Sequence, residues 1–259
     1  MNIGKFLQDH PWAQTIQYYD TVVSTNSMLQ QQAVNGAPEG TVIFADTQSG
    51  GMGRLGRSFH SPAGAGIYMS VLLRPQCRPE QLMHLTCAVA VAACKAIERT
   101  TGMRVQIKWV NDLIYGHKKL AGILTKLSVD PKTGLVNWAI VGIGINCAPA
   151  AFPPQLQDIV TSLEDIAGKP IDREALAAEL VRQLEAMRRE MFACKARIMA
   201  YYRQNCAVIG EDVYLIRGEE RKAGRVLDVD EDGGLVVKAP DGAVYTVNSG
   251  EISLRWANN

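Results

Sequence analysis

The sequence predicts an α+β fold, in which a mixed β-sheet with helices is followed by a small C-terminal β-barrel. Up to residue 207, strand-like and helical segments do not alternate regularly and hairpins interrupt them, which argues against a doubly wound sheet. After residue 207, short strand-like segments are separated by turn signals, a pattern typical of a small barrel. We therefore expect one domain over 1–207 and a second over 208–259.

The first domain contains several strands and two helices before its C-terminal helical part. Apolar and β-branched runs bounded by turn residues mark the strands. Ser24 or Thr25 is placed to cap the first helix, Gly102 to end the second, and Gly116 to form a hairpin turn. The predicted strands cover 15–19, 41–45, 67–73, 105–109, 113–115, 119–127 and 136–145, and the predicted helices cover 27–34 and 79–101.

From Asp158 onward the chain is predicted to be helical. Leu176, Leu180, Leu184 and Met187 repeat at spacings that place them on one helix face, and the helical pattern continues to about residue 206. Turn residues then divide the predicted barrel strands. These turns lie at 217–218, 232–234 and 241–242.

The composition argues against several classes of protein. With 47% hydrophobic and 20% charged residues, long disorder is not expected, and a net charge of +1 gives no field that attracts nucleic acid or membranes. The N-terminus lacks the pattern of a signal peptide, and no apolar run reaches the ~18 residues of a membrane helix. The six cysteines form no C-x-x-C pair. We expect a reduced, cytoplasmic protein without nucleic acid or membrane partners.

A glycine-rich loop at 49–61 carries two arginines. Its residues 51–56 match G-x-G-x-x-G, and the same stretch nearly matches a phosphate-binding P-loop. Both sites need a helix directly after the loop, which Pro62 and nearby glycines oppose, and Arg57 replaces the P-loop lysine. We reject both. The loop is then either a plain surface loop, or one whose backbone approaches a ligand while Arg54 and Arg57 bind phosphate or carboxylate.

Two short segments place polar residues at the ends of predicted strands. Lys108 and Trp109 end one strand, Asn111 and Asp112 form the next turn, and Lys119 precedes an apolar run. Strand ends often carry functional groups, and a lysine there can direct a positive charge into a pocket. Taken singly, however, each segment favours a structural role as core residue, turn former or edge lysine.

Taken together, five motifs in this order resemble the biotin protein ligase family over nearly the whole chain. Several linked motifs are a far stronger signal than any one of them. The ending Gly-Glu-Ile-Ser-Leu-Arg at 250–255 also resembles the close of that family's C-terminal domain. The five motifs lie at 24–26, 47–57, 108–112, 119–124 and 142–146.

The resemblance implies a fold and a reaction. The family has a mixed sheet akin to class II aminoacyl-tRNA synthetase cores, followed by an SH3-like barrel. Its members activate biotin with ATP and Mg²⁺ to biotinyl-5′-AMP, then transfer biotin to a lysine of a biotin carboxyl carrier protein or domain. Some members carry an N-terminal DNA-binding domain; the ~25 residues before the first motif are too few for one, so this chain resembles the type without repressor activity. Members often dimerise through sheet edges, which leaves a homodimer open.

The resemblance also implies roles for matched positions. Lys119, Arg54 and Asp112 are the expected catalytic residues, and the metal ligands stay unidentified. The expected biotin-binding residues are Ser24, Thr25, Asn26, Gln48, Gly51, Met52, Gly53, Arg54, Lys119 and Gly122. The expected ATP- or adenylate-binding residues are Arg54, Arg57, Phe59, Lys108, Asn111 and Asn146.

Three positions depart from the family pattern. Met52 stands where arginine is common; the change is tolerable if the backbone acts there, and weakens ATP binding if a side-chain charge is needed. Phe59 stands for a tryptophan expected against adenine and keeps an aromatic face. Val110 replaces a common proline, which loosens the turn without removing a functional group.

The implied chemistry needs positive charge, because a carboxylate must approach the α-phosphate of ATP. Arg54, Arg57, Lys119 and Mg²⁺ are expected to supply that charge, and the loop at 50–61 to close over the adenylate. The acceptor lysine, with a pKa of about 10.4, must lose a proton, and Asp112 is the candidate to orient or accept from it.

Two other functions stay open at this stage. A lipoate- or octanoate-type protein ligase shares the core architecture, although Gln48 and the Ser-Thr-Asn motif favour a ureido ring over an aliphatic chain. A catalytically weak biotin-binding protein is the second, suggested by Met52.

Overall fold

The computed structural model describes residues 3–150, 152–217, 219–248 and 253–256. Its main sheet is mixed and has seven strands in the order β1-β2-β3-β7-β6-β5-β4. Only the β1–β2 pair is parallel; the other five pairs are antiparallel. The strands are β1 (Ile16–Val22), β2 (Val42–Gln48), β3 (Gly66–Leu73), β4 (Gln106–Lys108), β5 (Asp112–Tyr115), β6 (Lys118–Val129) and β7 (Val136–Asn146). This arrangement confirms the predicted α+β class.

Helices cover both faces of this sheet. The helix α1 packs on one face, where Leu29 and Ala33 contact Ile43, Leu72 and Ile140. On the other face lie α2 and α4, which pack against each other and against the sheet, while α5 packs on α2. The helices are α1 (Thr25–Val34), α2 (Leu85–Thr101), α3 (Leu163–Ala167), α4 (Arg173–Glu190) and α5 (Lys195–Gln204).

The helix predicted at 79–101 is two elements in the structure. A 3₁₀ turn at Pro79–Leu82 precedes α2, which ends at Gly102 in a left-handed conformation (φ 74°), as predicted. By length and composition alone, the stretch Pro79–Thr101 passes for a membrane-spanning helix, but 72% of its most apolar window is buried inside the protein. One such buried helix is weak evidence for a membrane span, because core helices pass the same test.

The predicted helical region after Asp158 forms three helices rather than one continuous stretch. The predicted apolar face of α4 is confirmed, because Leu176, Leu180, Leu184 and Met187 are all buried. Residues 191–194 then separate α4 from α5.

The C-terminal region is a five-stranded antiparallel sheet in the order β11-β10-β9-β8-β12. The predicted turns at 232–234 and 241–242 are present, each with a glycine at positive φ. Gly218 and residues 250–252 of the closing motif lie outside the described residues. The strands are β8 (Asp212–Arg217), β9 (Glu220–Val229), β10 (Leu235–Lys238), β11 (Val244–Val247) and β12 (Ser253–Trp256). The predicted boundary at residue 207 lies between α5 and β8 and stays a prediction.

Candidate active site

A small cavity lies over the middle of β6 and β7, beneath the glycine-rich loop and the start of α1. Its volume is about 50 Å³. Eleven of the residues singled out from the sequence line it: Ser24, Thr25, Asn26, Gln48, Met52, Gly53, Arg54, Phe59, Asn111, Lys119 and Gly122. Because pockets for drug-sized ligands measure roughly 300–1,000 Å³, the cavity must widen before it can hold such a molecule.

Gln48, at the end of β2, organises the first turn of α1. Its Oε1 accepts hydrogen bonds from the backbone N–H (3.0 Å) and hydroxyl (3.2 Å) of Thr25, and its Nε2 donates to Ser61 Oγ (2.9 Å). Ser24 occupies the N-cap position, as predicted, but its side chain forms no capping hydrogen bond, so that part of the prediction was wrong. An amide from a neighbouring strand instead satisfies an open donor of the helix.

Ser70 joins this network and was not predicted. Its fully buried hydroxyl donates to Asn26 Oδ1 at 2.6 Å, and its oxygen lies 2.8 Å from Thr25 Oγ1. Asn26 in turn donates to the carbonyl of Leu124 at 3.3 Å. The signal in the sequence was a lone small polar residue inside the apolar strand at 67–73, since a buried hydroxyl needs a partner.

Three glycines form the floor of the cavity. A Cβ at Gly142 would lie 2.4 Å from Asn26 Oδ1, and one at Gly144 would lie 2.4 Å from the Phe59 ring. Gly122, paired with Gly144 across β6 and β7, lies beneath the same ring. At Gly142 and Gly144, any larger residue would therefore displace Asn26 or Phe59.

At the other end of the cavity, charged side chains are held by hydrogen bonds and an ion pair. Arg54 donates to Asn111 Oδ1 at 3.0 Å, and Asn111 Nδ2 donates to the carbonyl of Ile123 at 3.0 Å. Lys119 forms a 2.7 Å ion pair with Asp112. Burial lowers the pKa of Arg54, and the negative charge of Asp112 opposes that shift. A guanidinium still remains protonated at neutral pH, so Arg54 presents a partly desolvated positive charge.

The glycine-rich loop folds back on itself as a tight hairpin. The N–H of Gly53 donates to the Arg57 carbonyl at 2.7 Å, and that of Phe59 donates to Gly51 at 2.9 Å. A Cβ at Gly51 would lie 2.3 Å from the Phe59 carbonyl oxygen, so this position needs glycine. Only a 3₁₀ turn, Arg54–Gly56, follows the first glycines. This agrees with rejection of the Rossmann and P-loop interpretations.

Five predicted residues do not line the cavity. Gly51 supports the loop, and Asp112 contacts the cavity through Lys119. Asn146 is buried at the end of β7 and donates to the Thr161 carbonyl at 3.1 Å. The other two residues outside the cavity lining are Arg57 and Lys108, whose role in nucleotide binding stays a prediction.

The Trp109–Val110 peptide bond, where the family commonly has proline, is cis.

Comparison with known proteins points to one family. Residues 18–146 match the Biotin/lipoate A/B protein ligase family, and residues 208–255 match the Biotin protein ligase C terminal domain. A relative named "Bifunctional ligase/repressor BirA", from Bacillus subtilis, is 34% identical over 96% of this chain and 76% of its own length. A "Biotin--[acetyl-CoA-carboxylase] ligase" from Mycobacterium tuberculosis is 29% identical over 88% of this chain and 85% of its own.

A solved structure has the same fold over nearly its whole length. It is the biotin protein ligase from Aquifex aeolicus in complex with biotin and ATP, with a TM-score of 0.80 and 29% identity, covering 94% of this chain and 99% of that one. The order of motifs, the cavity that they line and these similarities lead to one conclusion: the chain belongs to the biotin protein ligase family.

Proposed function

We propose that this protein is an ATP-dependent biotin protein ligase. It forms biotinyl-5′-AMP from biotin and ATP, and then transfers biotin to a lysine of a biotin carboxyl carrier domain. The observation that carries the proposal is one cavity with neutral hydrogen-bonding groups at one end and Arg54 with Lys119 at the other. The relatives named as biotin ligases and the neighbour with bound biotin and ATP support it.

The neutral end is assigned to biotin's ureido ring. The ring has N–H donors and a carbonyl acceptor. Thr25, Asn26 and Gln48 have hydroxyl or amide side chains, which can both accept and donate hydrogen bonds. All three side chains are already held by other protein atoms, so they are ordered before a ligand arrives. An aliphatic chain, as in octanoate, forms no hydrogen bonds with these groups and gains nothing from their arrangement.

The cationic end is assigned to the acyl-phosphate. In the first step, a biotin carboxylate oxygen attacks the α-phosphorus of ATP, the bond to the β-phosphate oxygen breaks, and pyrophosphate leaves. Both reactants are anions, so Arg54 and Lys119 act by lowering their repulsion and aligning them. No protein nucleophile is required.

Mg²⁺ is proposed to arrive with ATP rather than to occupy a protein cage. Within the described ranges, no group of three or more His, Cys, Asp or Glu side chains is placed to hold a metal. This fits Mg²⁺, which usually binds one or two carboxylates together with substrate phosphates and water. Asp112 and the Asn111 amide oxygen are the candidate ligands beside the cavity, and the ion would screen phosphate charge there.

In the second step, the acceptor lysine attacks the carbonyl carbon of the mixed anhydride and AMP leaves. The attacking amine must be neutral, so a group that orients it and takes its proton is needed. We assign this role to Asp112. In the ligand-free protein the Asp112 carboxylate is paired with Lys119. When Lys119 contacts the acyl-phosphate instead, the carboxylate would be able to accept a proton from the acceptor amine.

Partner and location are part of the same proposal. The relatives named for acetyl-CoA carboxylase support a carboxyl carrier domain as the acceptor. All six cysteines are free thiols, which suits a reducing cytoplasm. Homodimer formation stays a prediction.

The test is mass spectrometry of a carrier domain incubated with the protein, biotin and MgATP. We expect the carrier to gain one biotinyl group, and omission of Mg²⁺ to abolish the gain. Equal or better modification with lipoate or octanoate would instead favour the alternative ligase. Binding of biotin without biotin-dependent ATP–pyrophosphate exchange would identify a binding protein and contradict the proposal.

A further inference from the structure

The turn that carries Asn111 and Asp112 is held by residues far from the cavity. Trp109 is 5% exposed, and its indole Nε1 donates a 2.8 Å hydrogen bond to the carbonyl of Gly233 in the C-terminal domain. Tyr202 of α5, also buried, donates to the carbonyl of Val110 at 3.3 Å. The two residues directly before Asn111 are therefore fixed from outside the site.

The partner of Trp109 is itself a well-fixed turn at 230–234. The Asp230 carboxylate accepts from the N–H groups of Asp232 (3.0 Å) and Gly234 (2.7 Å), and the Asp230 N–H donates to the Gly234 carbonyl at 2.8 Å. Gly233 adopts a left-handed conformation with φ 86°. The turn can therefore act as a rigid support.

The same turn is anchored to the helices beneath it. Lys195 forms a 2.6 Å ion pair with Asp232, and Arg203 donates to the Val229 carbonyl at 2.6 Å. Gly233 lies so close to α2 that a Cβ there would be 2.8 Å from Cys87 Sγ. Movement of the turn would consequently be transmitted to Trp109.

We propose that Trp109 and Gly233 are positioning residues for adenylation, through which the C-terminal domain sets the geometry of the active site. The inference rests on the proposed ligase function. In the ligand-free protein Asn111 holds Arg54 and Asp112 holds Lys119, so this turn sets the positions from which both cations reach the acyl-phosphate. A displacement of about 1 Å at such groups can slow a reaction roughly 100-fold.

Gly233→Ala and Gly242→Ala form a matched pair of variants. Both glycines lie in turns of the C-terminal domain at similar positive φ (86° and 91°), so an added methyl strains both backbones alike. A Cβ at Gly242 meets nothing within 4 Å, whereas one at Gly233 meets Cys87. A double variant, Cys87→Ala with Gly233→Ala, removes that contact and tests whether kcat is restored. Trp109→Phe removes the indole donor directly.

Each full-length variant is measured for thermal unfolding, for biotin Kd by calorimetry, and for kcat of ATP–pyrophosphate exchange well below its Tm. We expect Trp109→Phe and Gly233→Ala to lower kcat by roughly tenfold to 100-fold. Biotin Kd should change less than about twofold, because Thr25, Asn26 and Gln48 are held independently. Gly242→Ala should retain parental kcat, and the double variant should recover most of it.

Two results would overturn the inference while the ligase function stands. One is unchanged kcat in folded Trp109→Phe and Gly233→Ala. The other is an equal fall in kcat and biotin affinity that follows the folded fraction, which would show a structural role only. If the parent protein shows no biotin-dependent exchange, the proposed function fails and the positioning role falls with it.

Discussion

The two ends of the cavity are built differently. At the neutral end, which we propose binds biotin, Thr25, Asn26, Gln48 and Ser70 are uncharged, and their hydrogen bonds join α1, β2, β3 and β6. At the cationic end, which we propose binds the phosphate, the side chains of Lys119 and Asp112 are 35% and 26% exposed, and the charges pair with each other. The first end is ordered for a ligand, whereas the second must exchange internal partners for ligand atoms.

This difference follows from physical chemistry. Neutral polar groups can be buried and ordered at modest cost when each has a partner, and they then contribute specificity. Isolated buried charges are costly, so a site for anions needs counter-charges until its ligand arrives. We therefore expect changes at the biotin end to affect mainly affinity, and changes at the phosphate end to affect mainly rate.

Lys119→Ala should have the largest effect. Loss of this cation is expected to reduce the rate of adenylate formation by at least roughly 100-fold, equivalent to about 3 kcal/mol of transition-state stabilisation. ATP–pyrophosphate exchange measures the rate, and Lys118→Ala, at the neighbouring exposed lysine, is the control. Unchanged turnover in the Lys119 variant would remove this residue from the mechanism.

Arg54→Gly should release the intermediate more readily. A charged hydrogen bond contributes ~1.5–3 kcal/mol, so the rate of biotinyl-AMP release should rise at least about tenfold. The rate is followed by trapping labelled adenylate that leaves the protein. Arg104→Gly, at an 85% exposed arginine paired with Glu98, is the control. Equal release from the parent and the Arg54 variant would contradict the loop's role in retention.

Ser70→Ala should weaken biotin binding without a comparable loss of rate. Ser70 gives Asn26 a buried hydrogen bond and lies against Thr25 Oγ1, so a loss of ~1–2 kcal/mol should raise biotin Kd by about fivefold to 30-fold. Calorimetry gives Kd and exchange at saturating biotin gives kcat. Ser128→Ala, on β6 outside the cavity lining, is the control. A large fall in kcat with constant Kd would contradict the assignment of this end of the cavity to biotin affinity.

Met52→Arg should have the smallest effect. Met52 lines the cavity and is 36% exposed, so a charge there is partly screened by water. A gain of ~0.3–1 kcal/mol would lower the KM for ATP by about twofold to fivefold. Steady-state kinetics with varied ATP measures it. An unchanged KM for ATP would indicate that this position acts through its backbone.

The sequence predicted the parts of the site that lie within single motifs. The glycine loop, the turn at Asn111 and the strand that begins near Lys119 each have a local pattern of turn and strand residues, and their order carried the resemblance. The α+β class and the apolar face of α4 were predictable for the same reason, since both follow from local periodicity.

Contacts between distant segments could not be predicted in the same way. Gln48 takes over the capping of α1 from a separate strand, and Trp109 meets Gly233 across 124 positions of the chain. Such pairings depend on how strands and domains pack, which one sequence does not encode locally. Ser70 was predictable in part. A single hydroxyl in an apolar strand indicates a buried hydrogen bond, but the sequence does not show which residue is its partner.

The most direct test of the account is a crystal structure with a non-hydrolysable analogue of biotinyl-5′-AMP. The account predicts the ureido ring against Thr25, Asn26 and Gln48, with Lys119 and Arg54 hydrogen-bonded to the acyl-phosphate mimic and no longer to Asp112 and Asn111. It would be contradicted if the analogue bound elsewhere while both cations kept their internal partners.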